Sequence, residues 1–207
     1  MAAQQPLSVQ QNLTIRLLRV LRYNKARIER ALTLMPEKHR PLFHVLPFLV
    51  HVNHESLPGF VAPLSTGESV PFGISNYSFR TDIEKALLRC FPSESHLFAD
   101  IKQIWPRQRA VDALVLMGSV GTIAQTDDSD FDFWVCIDGK QFTSTALSLL
   151  QQKLTAIEKW ADQTFGIEVH FFLSEIDKVK QNDFGVAEGE SAGSAQALFL
   201  KAEFYNT

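Results

Sequence analysis

The pattern of apolar and polar positions divides the chain into a helical first half and an alternating second half. In the first half apolar residues recur at helical spacing, and Pro47 would allow a kink or a break in the second helical stretch. The proline- and glycine-rich stretch 56–80 predicts an ordered connection with little regular structure. Helices are predicted over four stretches of this half, at about 13–34, 42–52, 80–90 and 95–104.

The second half predicts short strands and a long helix. Apolar residues recur every three or four positions from Ser144 to Phe165, and Gly166 is well placed to end that helix. A further helix is predicted to start near Ala195. Strands are predicted at about 111–117, 131–137 and 167–173.

Strands that alternate with helices, after a helical N-terminal part, indicate an α/β (α+β) fold with a mixed β-sheet core. We expect a helical N-terminal subdomain at residues 1–105 and the core at residues 106–207.

Composition and charge limit the partners and the cellular compartment that we expect for the protein. The 207 residues are 45% hydrophobic and carry a net charge of -3, so no basic field favours a nucleic-acid partner. The first residues lack the basic flank and apolar core of a signal peptide, and no run approaches the ~18 apolar residues of a membrane span. Cys90 and Cys136 form no disulfide or metal-binding pattern. We therefore expect a protein of the reducing cytoplasm.

Two carboxylates follow a glycine–serine pair at a short distance. A predicted strand ends at Gly118-Ser119, ten residues follow, and the next strand begins with Asp130 and Asp132. Because side chains alternate along a strand, both carboxylates point to one face. Gly118 would let the backbone approach a phosphate, and Ser119 offers an N–H and a hydroxyl. The pair could be a solvated strand end, but its spacing from Gly118 favours a site for a divalent ion and phosphates.

Glu168 would supply a third carboxylate. In the predicted strand 167–173 it alternates with apolar residues and shares a face with His170. If this strand neighbours the one that begins at Asp130, three carboxylates can hold two Mg²⁺ ions ~3.5–4 Å apart. The alternative for Glu168 is an exposed acid on an edge strand. His170 is expected to hydrogen-bond or pack beside the site.

Other polar and aromatic side chains are assigned structural roles. Trp134 shares a face with the two aspartates and is expected to pack rather than to flank a nucleotide base. Lys153 and Lys159 are expected on the solvated face of their helix. His51 and His54 have helical spacing but no evident third ligand, which indicates a structural or surface role.

The residues around the candidate site resemble the signature of the polymerase-beta-like nucleotidyltransferase superfamily. The flanking sequence is similar to one branch, the catalytic N-terminal domain of bacterial class I adenylate cyclases. The similarity runs from about residue 10 to the end of the chain and is strongest over 114–205. The matching residues are Met117-Gly118-Ser119, Gln125, Ser129 to Val135, Trp160, Gly166 to Val169, Phe171 to Leu173, Gly189-Glu190, Gly193-Ser194, Gln196 and Glu203 to Tyr205, with Leu46-Pro47 and Leu57-Pro58-Gly59 upstream.

The resemblance implies an adenylate cyclase that converts ATP to cyclic AMP and diphosphate, with residues 106–207 as a nucleotidyltransferase-like catalytic core. It implies two Mg²⁺ or Mn²⁺ ions as cofactors. Family members are longer, so a C-terminal regulatory region is an expected partner besides ATP. Catalytic and metal-binding roles fall to Asp130, Asp132 and Glu168. Nucleotide- and phosphate-binding roles fall to Gly118, Ser119, Ser129, Gly193 and Ser194.

Departures from the family pattern leave other functions open. Val120 and Gly121 stand where the family tends to have hydroxyl residues, and Asn206 stands in place of an arginine. The alternatives are a nucleotidyltransferase that acts on another acceptor and a nucleotide-binding regulatory module without turnover. Three clustered negative charges argue against a pure binding module, because they repel one another unless metal ions offset them.

Overall fold

The computed structural model of the chain describes residues 8–180. The helix predicted near Ala195 and the site candidates Gly193 and Ser194 lie outside the described residues. In chain order the helices and strands are α1 (Val9–Leu34), α2 (Arg40–His51), α3 (Thr81–Cys90), α4 (Ser95–Ala99), β1 (Ala113–Leu116), β2 (Phe131–Ile137), α5 (Ser144–Phe165), β3 (Val169–Glu175) and α6 (Ile176–Lys180), with single 3₁₀ turns at Pro92–Glu94, Ile101–Gln103 and Gly139–Gln141.

The long helices begin and end at residues suited to those positions. At the start of α1, the Ser8 hydroxyl accepts a hydrogen bond from the Gln11 N–H, and the Gln11 side chain accepts one from the Ser8 N–H. Thr143 caps α5 in a similar way by accepting from the Ala146 N–H. Gly166 ends α5 with a φ of 63°, in the left-handed region that favours glycine. The predicted bounds of α5 and its glycine end are confirmed.

The three strands form a mixed sheet in the order β1-β2-β3. β1 runs antiparallel to β2, with Leu116 opposite Phe133. β2 runs parallel to β3, with Phe131 opposite Val169 and Phe133 opposite Phe171. This pairing brings the end of β1 and the starts of β2 and β3 to the same edge of the sheet. Together with the helices, the mixed sheet confirms the predicted α+β fold.

Each face of the sheet has its own apolar cluster. Phe131, Phe133 and Val135 point to one face and join the main core, which also includes residues of α2 and α5 such as Leu46 and Ile157. The opposite face carries a smaller cluster, in which Trp134 packs with Met117, Cys136 and Phe172. Trp134 is 2% exposed, which confirms the prediction of a packing role.

Several element bounds differ from the sequence prediction. The third strand begins two residues later than predicted, since the chain must leave the left-handed Gly166 before it joins the sheet. The helix predicted over 95–104 ends at Ala99, because Asp100 adopts a non-helical backbone with φ -128° and ψ 69°. Pro47 lies inside α2, and the helix continues through it to His51.

Lys153 is buried, so the prediction that it lies on a solvated face of α5 is wrong. Its side chain is 0% exposed, and Nζ donates to the carbonyl oxygens of Val52 at 2.7 Å and Gly59 at 3.1 Å. Burial lowers the pKa of Lys153 to about 7. Lys159 is exposed, as predicted. The buried lysine holds the connection after α2 against α5.

α1 has a largely exposed surface. Among its described residues Ala31 is the one classed as buried, at 1% exposure. Large apolar side chains in the first half of this helix, such as Leu13 at 60% and Leu17 at 59%, are exposed. None of the helices in residues 8–180 combines the length and the hydropathy needed to cross a membrane.

Candidate metal and nucleotide site

The parallel pairing of β2 and β3 brings the predicted acids to one edge of the sheet. Asp130 directly precedes β2 and Glu168 directly precedes β3. The Phe131 N–H donates to the Glu168 carbonyl oxygen at 3.0 Å, so the ladder extends to these positions. Asp132 lies opposite His170 in the register. Since side chains alternate, these polar residues share the face opposite to Phe131.

Two carboxylates and one imidazole form a group with mutually close ligand atoms. Asp130, Glu168 and His170 each offer one ligand atom within 4.8 Å of the other two. The distance from His170 Nε2 to Glu168 Oε2 is 3.6 Å, and the Glu168 side chain is 71% exposed. An open group of this composition is accessible to a ligand, and its donors fit a divalent ion.

Asp132 lies two residues after Asp130, on the same face of the sheet, and is close to the glycine–serine turn. Gly118 has a φ of 70°, and a Cβ at this position would lie 3.1 Å from Asp132 Oδ2. The Met117 N–H donates to the Asp132 carbonyl oxygen at 2.8 Å, which fixes the turn beside β2. The sequence predicts that Asp132 is the third metal ligand beside Asp130 and Glu168. Among the described residues, the side chain whose ligand atom lies close to those two carboxylates is His170. Asp132 therefore connects the candidate metal group with the turn.

The loop from Gly118 to Ser129 is held by hydroxyl groups. The Ser119 hydroxyl donates to Ser129 Oγ at 2.8 Å, and the Thr126 N–H donates to the same oxygen at 2.8 Å. The Thr122 N–H and hydroxyl both donate to the Ser119 carbonyl oxygen, at 2.9 and 2.7 Å. Ser119 and Ser129 are thus brought together across the loop, and both are partly buried.

α1 fixes the same loop from the outside. Arg27 Nε donates to the Val120 carbonyl oxygen at 3.0 Å, and its Nη2 donates to the Gly118 carbonyl oxygen at 3.2 Å. The Gln125 amide accepts from the Gly121 N–H at 2.7 Å and donates to the Ala31 carbonyl oxygen at 3.2 Å. Val120 itself is 1% exposed, so its side chain packs in the core.

Sequence reasoning missed two residues of this arrangement. The alternation of residues 167–173 places His170 on the face of Glu168, a signal that favoured a closer role than packing. Arg27 is 93 positions from Val120, and no local pattern connects them.

A partly buried carboxylate supports β3 from α5. Glu158 accepts a hydrogen bond from the Phe171 N–H at 2.7 Å. Burial raises the pKa of Glu158, and the opposing effects come from that hydrogen bond and from His170. The start of β3 is therefore held by a side chain from outside the sheet.

Comparisons with known proteins support the resemblance to adenylate cyclases. Curated adenylate cyclases from Salmonella typhimurium, Escherichia coli and Pasteurella multocida are 31%, 32% and 34% identical over 190, 186 and 188 residues. These alignments cover 89% of this chain and 20–21% of the relatives, so the chain spans about one fifth of their length. No solved structure matches the chain. The family model described as the adenylate cyclase NT domain matches residues 12–207, and the chain therefore belongs to the adenylate cyclase N-terminal domain family.

Proposed function

We propose that this chain is a catalytic domain that converts ATP to cyclic AMP and diphosphate. The main observation behind the proposal is that ligand atoms of Asp130, Glu168 and His170 lie close together at one edge of the sheet. The Gly118 turn lies at the same edge. The name of the relatives supports the same activity, since proteins called adenylate cyclase match 89% of the chain.

Asp130, Asp132 and Glu168 are proposed to hold two Mg²⁺ or Mn²⁺ ions. Carboxylate oxygens suit both ions, and the imidazole of His170 is a donor that suits Mn²⁺ better than Mg²⁺. The close ligand atoms of Asp130, Glu168 and His170 fit one ion, and Asp132 lies on the same face. When bound, the ions would lower the pKa of the ribose 3′-hydroxyl and offset the charge of the phosphates.

The triphosphate is proposed to lie along the turn at Gly118 and Ser119. Gly118 is exposed, and the absence of a Cβ keeps space beside Asp132. Ser129 is proposed to act through the turn, because its hydroxyl already accepts from Ser119 and Thr126. Gly193 and Ser194 remain predicted nucleotide-binding residues.

The proposed reaction is an intramolecular displacement. The ribose 3′-oxygen attacks the α-phosphorus, and the bond from that phosphorus to the β-phosphate oxygen breaks. The proton of the 3′-hydroxyl goes to Glu168 or, where Glu168 instead completes the shell of the second ion, to water, and diphosphate leaves with the bonding electron pair. Because both reacting atoms belong to one ATP molecule, the main task of the protein is to position them.

The experiment is an assay of the chain with ATP and Mg²⁺ or Mn²⁺, with cyclic AMP as the measured product. We expect Asp130→Asn and Glu168→Gln to lower kcat by a factor on the order of 100 or more. The matched control is Asp128→Asn, because Asp128 is an exposed acid of the same loop. Equal cyclic AMP formation by Asp130→Asn and the wild type would contradict the site assignment.

Product analysis separates this function from the alternatives. A nucleotidyltransferase would attach the nucleotide to another acceptor, and a regulatory module would bind ATP without any product. The buried Val120, in place of a hydroxyl residue, is the observation that favours the binding module. Calorimetry that shows ATP binding without turnover would support it.

We also propose that the domain belongs to a longer protein of the cytoplasm. The relatives are about five times longer than the aligned part, which is consistent with a C-terminal regulatory region in the complete protein. Cys90 and Cys136 are both free thiols, which agrees with the proposed reducing cytoplasm.

A further inference from the structure

The first half of α1 carries an exposed apolar stripe, here called the outer stripe. Successive members lie three or four positions apart, except for the adjacent pair at its end, and the set thus covers one side of the helix. Leu13 and Leu17 are 60% and 59% exposed, whereas Ala31 on the same side is 1% exposed. The side that packs on the core near the end of α1 therefore continues outward without cover from the described residues. The outer stripe consists of Val9, Leu13, Leu17, Val20 and Leu21.

The charged residues of α1 are predominantly basic. The helix contains six basic residues and one acid, Glu29, which gives it a net charge of +5. The whole chain has a net charge of -3, so the residues outside α1 carry -8. No acid occurs from Val9 to Ile28. The basic residues are Arg16, Arg19, Arg22, Lys25, Arg27 and Arg30.

α1 is anchored at one end. Arg27 and the Ala31 carbonyl, both in the last third of the helix, make hydrogen bonds to the loop of the candidate site. At 1.5 Å per residue, the 18 residues from Val9 to Ala26 measure about 27 Å. The outer stripe and most of the basic residues lie on this part.

We propose that the outer stripe of α1 docks on an anionic membrane surface. An amphipathic helix with leucines on one side and arginines around them lies in the lipid interface, where the leucines enter the acyl region and the arginines meet the anionic headgroups. Charge complementarity therefore favours lipid, because the basic charge is concentrated in the same helix as the exposed leucines.

The charges and the stripe disfavour two other occupants. A nucleic acid would use the arginines but would leave the leucines in water, since phosphate contacts need no apolar surface. A second copy paired through α1 would bring together two helices of +5 each. A bilayer with anionic lipid satisfies both the apolar and the basic part of the helix.

The test is co-sedimentation of the 207-residue chain with vesicles of phosphatidylcholine, alone or mixed with phosphatidylglycerol. We expect binding to the mixed vesicles, weaker binding to phosphatidylcholine, and loss of binding at high salt. Leu17→Glu should weaken binding at least about tenfold, because one leucine side chain leaves the acyl region. Arg22→Gln should weaken it about fivefold through the loss of one charge.

Leu64→Glu is the matched control, because Leu64 is a 39% exposed leucine outside α1 and receives the same change. It should bind vesicles as the wild type does, and far-UV circular dichroism should show that both glutamate variants keep their helix content. Absence of binding to the mixed vesicles, or equal binding by Leu17→Glu, would overturn the proposal. A dimer in sedimentation equilibrium that Leu17→Glu dissociates, without vesicle binding, would assign the stripe to a second copy and would also overturn it.

Discussion

Lys153 Nζ lies 2.7 Å from the carbonyl oxygen of Val52, although 101 positions separate the two residues along the chain. The same side-chain nitrogen donates to Gly59, so one buried hydrogen-bond donor joins α5 to two positions near the start of the segment that follows α2. No carboxylate contributes to these contacts, and the lysine therefore acts as a hydrogen-bond donor inside the core.

Replacement of Lys153 by methionine should destabilise the fold. Lys153→Met keeps the apolar stem but leaves the carbonyls of Val52 and Gly59 without this donor, at a cost of about 2 kcal/mol. The measurement is the free energy of unfolding in urea. Lys159→Met, on the exposed side of the same helix, should change it by less than about 0.5 kcal/mol. Equal effects of the two variants would show that the buried contacts do not stabilise the protein.

Lys153 should also make stability depend on pH. Burial lowers its pKa from the ordinary value of 10.5 to about 7. Between these values the unfolded chain binds the proton and the folded chain does not, so the contribution of Lys153 to stability rises with pH, by up to about 1.4 kcal/mol per unit. Below pH 7 both states are protonated, and the contribution no longer changes. Urea unfolding of the wild type and Lys153→Met across this range should show a difference that grows with pH in favour of the wild type.

The close approach of α1 to the site loop should make Gly121 intolerant of a side chain. A Cβ at Gly121 would lie 2.5 Å from Arg27 Cγ and 2.6 Å from the Arg27 carbonyl oxygen, at a φ of +78°. Gly121→Ala should therefore lower the free energy of unfolding by more than the ~1–2 kcal/mol that positive φ alone costs. Gly67→Ala is the control, because its φ is +87° and nothing lies within 4 Å. A larger loss in Gly67→Ala would argue against a tight contact at Gly121.

Arg27 should influence ATP binding through the loop that it holds. Arg27→Lys loses the two-nitrogen contact with the carbonyls of Gly118 and Val120 but keeps the charge. We expect the KM for ATP to rise several-fold with a smaller change in kcat, because the turn proposed to bind phosphates is displaced. The exposed Arg30, replaced by lysine, serves as control. An unchanged KM in Arg27→Lys would separate this contact from nucleotide binding.

His170 should bias the candidate metal group toward Mn²⁺. Imidazole nitrogen is a better ligand for Mn²⁺ than for Mg²⁺, so His170→Ala should weaken Mn²⁺ binding more than Mg²⁺ binding. Isothermal calorimetry with each ion alone measures this without any turnover. His54→Ala, at a histidine outside the group, should leave both affinities unchanged. Equal losses for the two ions in His170→Ala would exclude a ligand role for the imidazole.

Local sequence rules predicted the parts of the fold that depend on local geometry. The bounds of α5 and its end at Gly166 follow from helical spacing and from the left-handed backbone that glycine allows. The same spacing places Lys153 three positions after Leu150 and four before Ile157, on the buried side. The expectation of a solvated lysine failed because it followed the charge of the residue rather than its position.

The candidate site shows a similar division. Strand alternation was enough to predict that Asp130 and Asp132 share a face of their strand. It also predicted that Glu168 and His170 share a face of theirs. Which residues meet across the two strands depends on the parallel register, which a single sequence does not encode locally. The contact of Arg27 with Val120 is non-local in the same sense, and the structure was needed to find it.

The contacts between α1 and the site loop also bear on the order in which the domain is assembled. They join residues 91 to 94 positions apart, so a large loop of chain must close before they form. During synthesis α1 emerges well before the loop from Gly118 to Ser129. We therefore expect the turn at Gly118 to acquire its shape late in folding, on a helix that is already present.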